Sequence, residues 1–205
     1  MDAEIPSDDD EEESSDEKEL KKVFMKKFNN LIVLGPLLYA IHHFEEHVVF
    51  NFIEWKLKYF NHSAAALSTE AILAILVCVI VGFVFLHLVK NNQASAYIIL
   101  YILFAIQIIN AFFHIFFSFY FNDFSPGAIT SVLVYLPGNF LIVRAAFHEG
   151  YLKSYAEYGF IALLGTATFI LFEIYGPLVI VLSIISSFLY FVWFNKRLAD
   201  KGKLS

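Results

Sequence analysis

The chain concentrates its reactive chemistry in one run, His42-His43-Phe44-Glu45-Glu46-His47, set inside an otherwise apolar stretch from Leu31 to Phe52. An ionisable side chain inside a membrane span costs about 2.5–3.5 kcal/mol on insertion scales, so such a cluster is a functional hypothesis by default. At 100° per residue, Glu45 falls about 60° to one side of His42 and Glu46 about 40° to the other, which puts all three on one narrow helix face. His43 and His47 lie about 100° and 140° from His42, on flanking faces that suit outer partners or helix–helix contacts. A second polar face stands far along the chain. Between Asn91 and Asn122 there is no charged residue, yet Gln107, Asn110, His114 and Ser118 fall within an arc of about 80°. A third segment opens with Ser125-Pro126-Gly127 and offers Thr130 one turn later.

Two imidazoles and one carboxylate suit Zn²⁺ with a position left for water, or a non-haem iron. His42, His114 and one of Glu45 or Glu46 supply that set. The candidate ligands of a divalent metal are therefore His42, Glu45 and His114, with Glu46 the alternative carboxylate. The glutamate not bound would serve as general base. Asn110 or Gln107 would orient a ligand or donate to a developing oxyanion. The candidate catalytic residues are Glu45, Glu46, Asn110 and Thr130. Gln107, Ser118 and Thr130 also fit a plainer role in interhelical hydrogen bonding, worth about 0.6 kcal/mol each where measured.

The elements that must position these groups are apolar helices. Of 205 residues, 59% are hydrophobic and 17% charged, with 24 Phe and 11 Tyr, whereas a soluble domain carries nearer a quarter charged residues. A bilayer core of ~30 Å needs about 20 apolar residues per helix. That rule predicts an all-α, polytopic transmembrane bundle of about six spans: Leu31–Phe52, Thr69–Val89, Ala96–Phe121, Gly127–Phe147, Ala156–Ile174 and Pro177–Phe194. The last two are separated by Tyr175-Gly176-Pro177. If that turn were a mid-membrane kink, the total would be five. The first and third helices run the same way, so their polar faces reach similar depths.

Three regions follow. Residues 1–27 form an acidic tail with a basic membrane-proximal end, 28–195 the helical domain, and 196–205 a short basic tail. The first 20 residues hold 11 of the 20 acidic residues and only Lys18. Such a segment cannot bury apolar surface and should be disordered. Ser7 and Ser14 within it suit acidophilic phosphorylation. No apolar run begins before Leu31, so no cleavable signal peptide is expected and the first helix would direct insertion. The single cysteine, Cys78, excludes an internal disulfide and a Cys-rich metal site. No basic patch points to nucleic acid; the expected partners are the lipid bilayer and a lipid or other hydrophobic substrate.

With the N-terminus cytosolic, twelve of the 14 Lys and Arg lie on the cytosolic side and only Lys56 and Lys58 oppose them. Positive residues favour the cytosol, so both termini are expected there. The final Lys201-Gly202-Lys203-Leu204-Ser205 fits the K-x-K-x-x pattern of tails returned to the endoplasmic reticulum, and Asn61-His62-Ser63 is a glycosylation sequon on the lumenal side. Both favour an endoplasmic reticulum membrane. Trp55, Tyr59 and Trp193 read as interfacial anchors, His87 and His148 as interfacial, and Glu173 as solvated at the lumenal surface.

His42-x-x-Glu45-Glu46 in a first helix, followed by Asn110-x-x-x-His114 and Pro126-Gly127-x-x-Thr130, resembles the HXXEE-domain family over most of residues 31–150. The resemblance implies which residues matter and assigns no activity. The residues themselves support three readings. One is a metal-dependent or metal-free acid–base enzyme, a hydrolase or isomerase, acting on a hydrophobic substrate. Another is a proton-coupled carrier or channel using the same groups, with Pro137-Gly138 as a gating point; the lack of an internal repeat weighs against it. The third is a structural interhelical network.

Overall fold

The computed structural model describes residues 27–60 and 68–202, less the side chains of Lys27 and of residues 198–202. The acidic tail, the sequon at Asn61 and the last three residues of the K-x-K-x-x pattern lie outside the described residues. Among the described residues every regular element is helical.

Five helices among these residues are long and apolar enough to cross a membrane: α4 (Thr69–Lys90), α5 (Gln93–Tyr120), α6 (Ala128–His148), α7 (Tyr155–Tyr175) and α8 (Leu178–Gly202), the last through Arg197. Their ends are written in local chemistry. Ser68 caps α4 by accepting the Ala71 N–H at 3.3 Å, and Asn91 closes it in the left-handed region at φ 42°. Asn92 and Ser95 form a reciprocal capping box at the start of α5, which satisfies amides that the first helical turn leaves free. Ser154 caps α7 through the Glu157 N–H. Gly176, at φ 68°, makes the turn into α8, so the final pair is a hairpin of two helices and not one kinked helix. Much of the outer surface of these helices is apolar, with Phe85, Phe119, Leu133, Leu163 and Leu189 all exposed, as expected where lipid replaces water.

The first expected span is not one helix. It divides into α1 (Lys27–Ile32), α2 (Gly35–Phe44) continued by a π-helical turn over Glu45–Val49, and α3 (Phe52–Phe60). Pro36 stands in the first turn of α2 and lacks the N–H needed to extend α1 through it. Phe50 is extended, and the Asn51 side chain accepts the Glu54 N–H at 3.1 Å, so Asn51 starts α3 afresh. Lys27–Ile32 packs on α6, and α2 packs on α4 and on the start of α6, while α5 is the most buried of the long helices and touches α4, α6, α7 and α8.

Among the described residues three π-helical turns occur: Glu45–Val49 after α2, Phe104–Ile108 within α5 and Ser131–Tyr135 within α6. These are the three helices on which the sequence places its polar faces. π-Turns widen a helix locally and recur at functional sites. The one in α6 lies just ahead of Pro137, whose missing N–H cannot bond four residues back. Gly138 beside it is a point of close approach, since a Cβ there would come within 2.7 Å of Leu38 Cδ1.

Candidate functional site

Three helix segments bring their polar groups to one buried point. His42 and His114 are fully buried, and Glu45 and Glu46 nearly so. The Glu46 Oε1 lies 3.3 Å from His42 Nε2 and 2.9 Å from His114 Nε2. The two rings sit edge to face with centroids 5.0 Å apart. Tyr135 stacks on the other face of His42 at 4.2 Å, and Phe52 packs on His114 at 5.1 Å.

The partners of the opposite ring nitrogens decide the tautomers. The Thr130 hydroxyl donates to the Gly127 carbonyl at 3.3 Å. Its oxygen is then left to accept, and it lies 2.7 Å from His42 Nδ1. His42 therefore carries its proton on Nδ1 and presents a bare lone pair at Nε2. Asn110 donates its amide to that lone pair at 2.9 Å. Ser125 Oγ is likewise 2.9 Å from His114 Nδ1, and Ser125 is fixed by its own N–H bond to Ser118 Oγ. His114 Nε2, though close to Glu46, makes no hydrogen bond of acceptable alignment.

Glu45 faces elsewhere. Its carboxylate accepts the backbone N–H groups of Gly127 at 3.1 Å, Ile129 at 3.1 Å and Thr130 at 2.6 Å. That is an anion seated on a helix N-terminus, where unpaired amides and the helix dipole both favour it. The carboxylate between the imidazoles is thus that of Glu46 and not that of Glu45, which the sequence reading had placed beside His42 and His114. The physical reason is that Glu45 and Glu46 lie on opposite sides of His42, and only the Glu45 side meets the free amides of α6.

Gly127 makes this convergence possible. Its φ of 98° is a conformation that favours glycine. A Cβ there would lie 2.8 Å from His42 Cε1 and 3.1 Å from both Glu46 Cγ and His114 Cε1.

Other assignments sort plainly. Gln107 donates to the Gly35 carbonyl at 2.7 Å and accepts from Asn139 at 2.8 Å, so it ties α5 to α2 and α6 and does not reach the imidazoles. Ser118 positions Ser125. Thr130 bonds His42 Nδ1 directly, tying the start of α6 to α2 at the cluster itself. Tyr135 and Asn139 escaped the sequence reading; neither stands in a motif, and only the packing of α6 against α2 and α5 reveals them. Trp55 is not an interfacial anchor but is buried among Phe52, Phe113 and Phe121. His87 is fully buried and bonds Ser95 and Asn29 at 2.9 Å each, joining α1 to α4 and α5. Glu173 is not simply solvated: it pairs with Lys56 at 2.6 Å.

A cavity of about 530 Å³ lies beside the cluster, with His43, Glu46, His47 and Asn110 at its polar end and Leu76, Ile106, Phe169 and Phe172 among its apolar walls. His42 and His114 lie behind Glu46, away from that opening. Away from the cavity, the half-buried loop residue Asp123 accepts from Lys58 at 2.8 Å and from the Tyr59 hydroxyl at 2.6 Å. The Lys58 bond, then the Tyr59 bond, holds its carboxyl below the ordinary value of 3.8.

The ligand atoms of His42, Glu46 and His114 all lie within 4.8 Å of one another. In a tetrahedral zinc site with bonds near 2.0–2.1 Å, neighbouring ligand atoms stand roughly 3.3 Å apart, which the His42–Glu46 separation of 3.3 Å already meets.

A family model described as a protein of unknown function with an HXXEE motif matches residues 33–142. No curated protein and no solved structure matches the chain.

Proposed function

The chain belongs to that HXXEE-motif family, and we propose that it is a multi-pass enzyme of the endoplasmic reticulum membrane, with both termini cytosolic, that holds a divalent cation at His42, Glu46 and His114 and acts on a lipid or other hydrophobic molecule. One observation carries the reading. Two buried imidazoles, each with its Nδ1 directed at a hydroxyl, turn their Nε2 atoms toward a single carboxylate oxygen. Hydroxyl or carbonyl groups that fix the outer nitrogen are the usual support of a metal-binding histidine.

Zinc or iron suits two nitrogens and an oxygen. Such an ion would polarise a carbonyl or phosphoryl oxygen and supply hydroxide from bound water near neutral pH. Asn110 touches both His42 and the cavity; released from His42 Nε2 by the ion, its amide is placed to hold a substrate oxygen. The apolar walls admit an acyl chain, and the reaction class that fits is hydrolysis or isomerisation.

Elemental analysis of the detergent-purified protein tests this. The expectation is about one equivalent of zinc or iron at this site, lost in His42→Ala/His114→Ala. A folded wild-type preparation free of metal, even after incubation with zinc or iron(II), would overturn the reading. The cluster would then be examined as a proton relay by flux measurements in liposomes.

A further inference from the structure

Glu46 has a second carboxylate oxygen, and it faces a second pair of histidines. Oε1 is directed at His42 and His114, while Oε2 lies 3.8 Å from His47 Nε2. His43 and His47 stand one turn apart with ring centroids 4.4 Å apart and planes inclined at 47°. Ligand atoms of His43, Glu46 and His47 all lie within 4.8 Å of one another. Among the described residues neither ring is given a hydrogen-bond partner, in contrast to His42, His114 and His87, whose ring nitrogens are held by hydroxyls and amides. Two histidines four residues apart on a helix are the spacing by which one helix face offers two imidazoles to one ion. Here the interval runs into the π-turn that begins at Glu45, and that turn lets Glu46 stand between the two pairs.

We propose that His43 and His47 bind a second divalent cation on the cavity side of Glu46, whose two oxygens bridge a two-metal centre. The proposal rests on the metal reading of His42, Glu46 and His114. The two positions differ in access. The His42–His114 position is sealed behind Glu46, whereas His43, His47 and Glu46 themselves line the cavity. The inner ion would thus be chiefly a holder of the bridge, and the outer ion would meet the substrate.

Charge then narrows the substrate. Two divalent ions set against one bridging carboxylate, with neutral imidazoles otherwise, leave a positive excess at the polar end of a largely apolar cavity, which the nearby exposed carboxylate of Glu70 reduces without cancelling. Glu45 offsets part of it but is already engaged by three amides. A low-dielectric site of that sign selects an anion. The matching ligand is a lipid with a phosphate headgroup, since paired metals roughly 3.5–4 Å apart clamp the oxygens of a phosphoryl group. The other cationic group at the cavity, Lys56, is paired with Glu173 and so does not substitute for the metals.

The test uses the full-length protein in detergent, loaded with manganese(II). Wild type should bind about two equivalents, as a two-metal site requires, and its electron paramagnetic resonance spectrum should show exchange coupling between the ions. His43→Phe/His47→Phe, which keeps ring volume, should fall to about one equivalent with an uncoupled spectrum. His42→Ala/His114→Ala should lose the coupling as well. Thermal melting shows that each variant is folded, and the wild-type spectrum needs no variant at all. A single uncoupled ion in wild type, kept in His43→Phe/His47→Phe and lost in His42→Ala/His114→Ala, overturns the second position and leaves the first intact. No bound ion in wild type overturns both. A short-chain phosphatidate should perturb the coupled spectrum and the matching diacylglycerol should not; equal effects from the two would overturn the phosphate assignment.

Discussion

Replacing Gly127 by alanine adds one carbon at the point where the start of α6 enters the cluster. Two costs follow. A non-glycine residue held at φ 98° is strained by about 1–2 kcal/mol. The new Cβ would also stand 2.8 Å from His42 Cε1, closer than any real methyl group tolerates. His42 cannot swing aside freely, because Thr130 holds its Nδ1 and Tyr135 stacks on its face. Forcing extra volume into a packed site costs about 1–3 kcal/mol. The sum is roughly 2–5 kcal/mol, and for a chain of this size each kcal/mol lowers Tm by about 2–4 °C. A melt in detergent should therefore show Gly127→Ala falling by about 10 °C, with bound metal lost because both imidazoles and Glu46 must part. Gly159→Ala is the control. Nothing lies within 4 Å of a Cβ at Gly159, within α7, so that change should stabilise by about 0.5–1 kcal/mol. If Gly127→Ala melts with wild type and retains its metal, the close approach of α6 to the imidazoles is wrong, and the geometry argued from it fails.

Thr130→Val removes the oxygen that accepts from His42 Nδ1 and should weaken metal binding by about 10–100-fold, measured by chelator competition, with Thr130→Ser restoring it. Glu45→Gln replaces a carboxylate that accepts three amides and should cost about 1–3 kcal/mol of stability while metal stoichiometry is kept; loss of one equivalent without loss of stability would make Glu45 a ligand after all. Asp123 has a depressed carboxyl in the folded protein, so its contribution is present above the ordinary aspartate range and disappears as pH falls through and below it. The Tm difference between wild type and Asp123→Asn should accordingly be constant from pH 6 to 8 and vanish near or below the ordinary value of 3.8; a difference that instead changes between pH 6 and 8 would contradict the Lys58–Asp123–Tyr59 assignment.

The long helices were legible because each holds an apolar run of membrane-spanning length, and local chemistry fixes their boundaries. Ser68, Asn92 and Ser154 are caps that act within three or four residues, and Gly176-Pro177 is a turn that needs no distant partner. The first helix was misjudged although its signals were local too. Gly35-Pro36 and Asn51-x-x-Glu54 both punctuate it, but an apolar run of the right length masked them. Hydropathy measures transfer to lipid and is silent on backbone continuity, so it ran the end of α1, all of α2 and the break at Phe50-Asn51 into one span, Leu31–Phe52. The burial of Trp55 and His87 was beyond reach for a different reason. Each depends on partners from other helices, Phe113 and Phe121 for one and Asn29 and Ser95 for the other.

Within the cluster the wheel succeeded where spacing dominates and failed where a neighbour decides. His42 and Glu46, and Asn110 and His114, are each four residues apart, a spacing that brings groups together in either an α-helix or a slightly widened one. Their convergence therefore survived the π-turns that an ideal 100° wheel omits. The choice between Glu45 and Glu46 is set instead by the amides of Gly127, Ile129 and Thr130, which arrive from α6 and leave no trace near residue 45. His43 and His47 show how the choice of reference residue shapes a wheel. Their four-residue spacing was visible, yet measuring every angle from His42 pushed them to the flanks. Measured from Glu46, His42 is one turn back, His43 three residues back and His47 the next residue, so a single carboxylate is the shared neighbour of both pairs. That makes Glu46 the residue on which the whole arrangement turns: Glu46→Gln keeps the size of the side chain but gives up one acceptor oxygen and the charge, and it should release metal from both positions at once, where loss from only one would confine the carboxylate to a single pair.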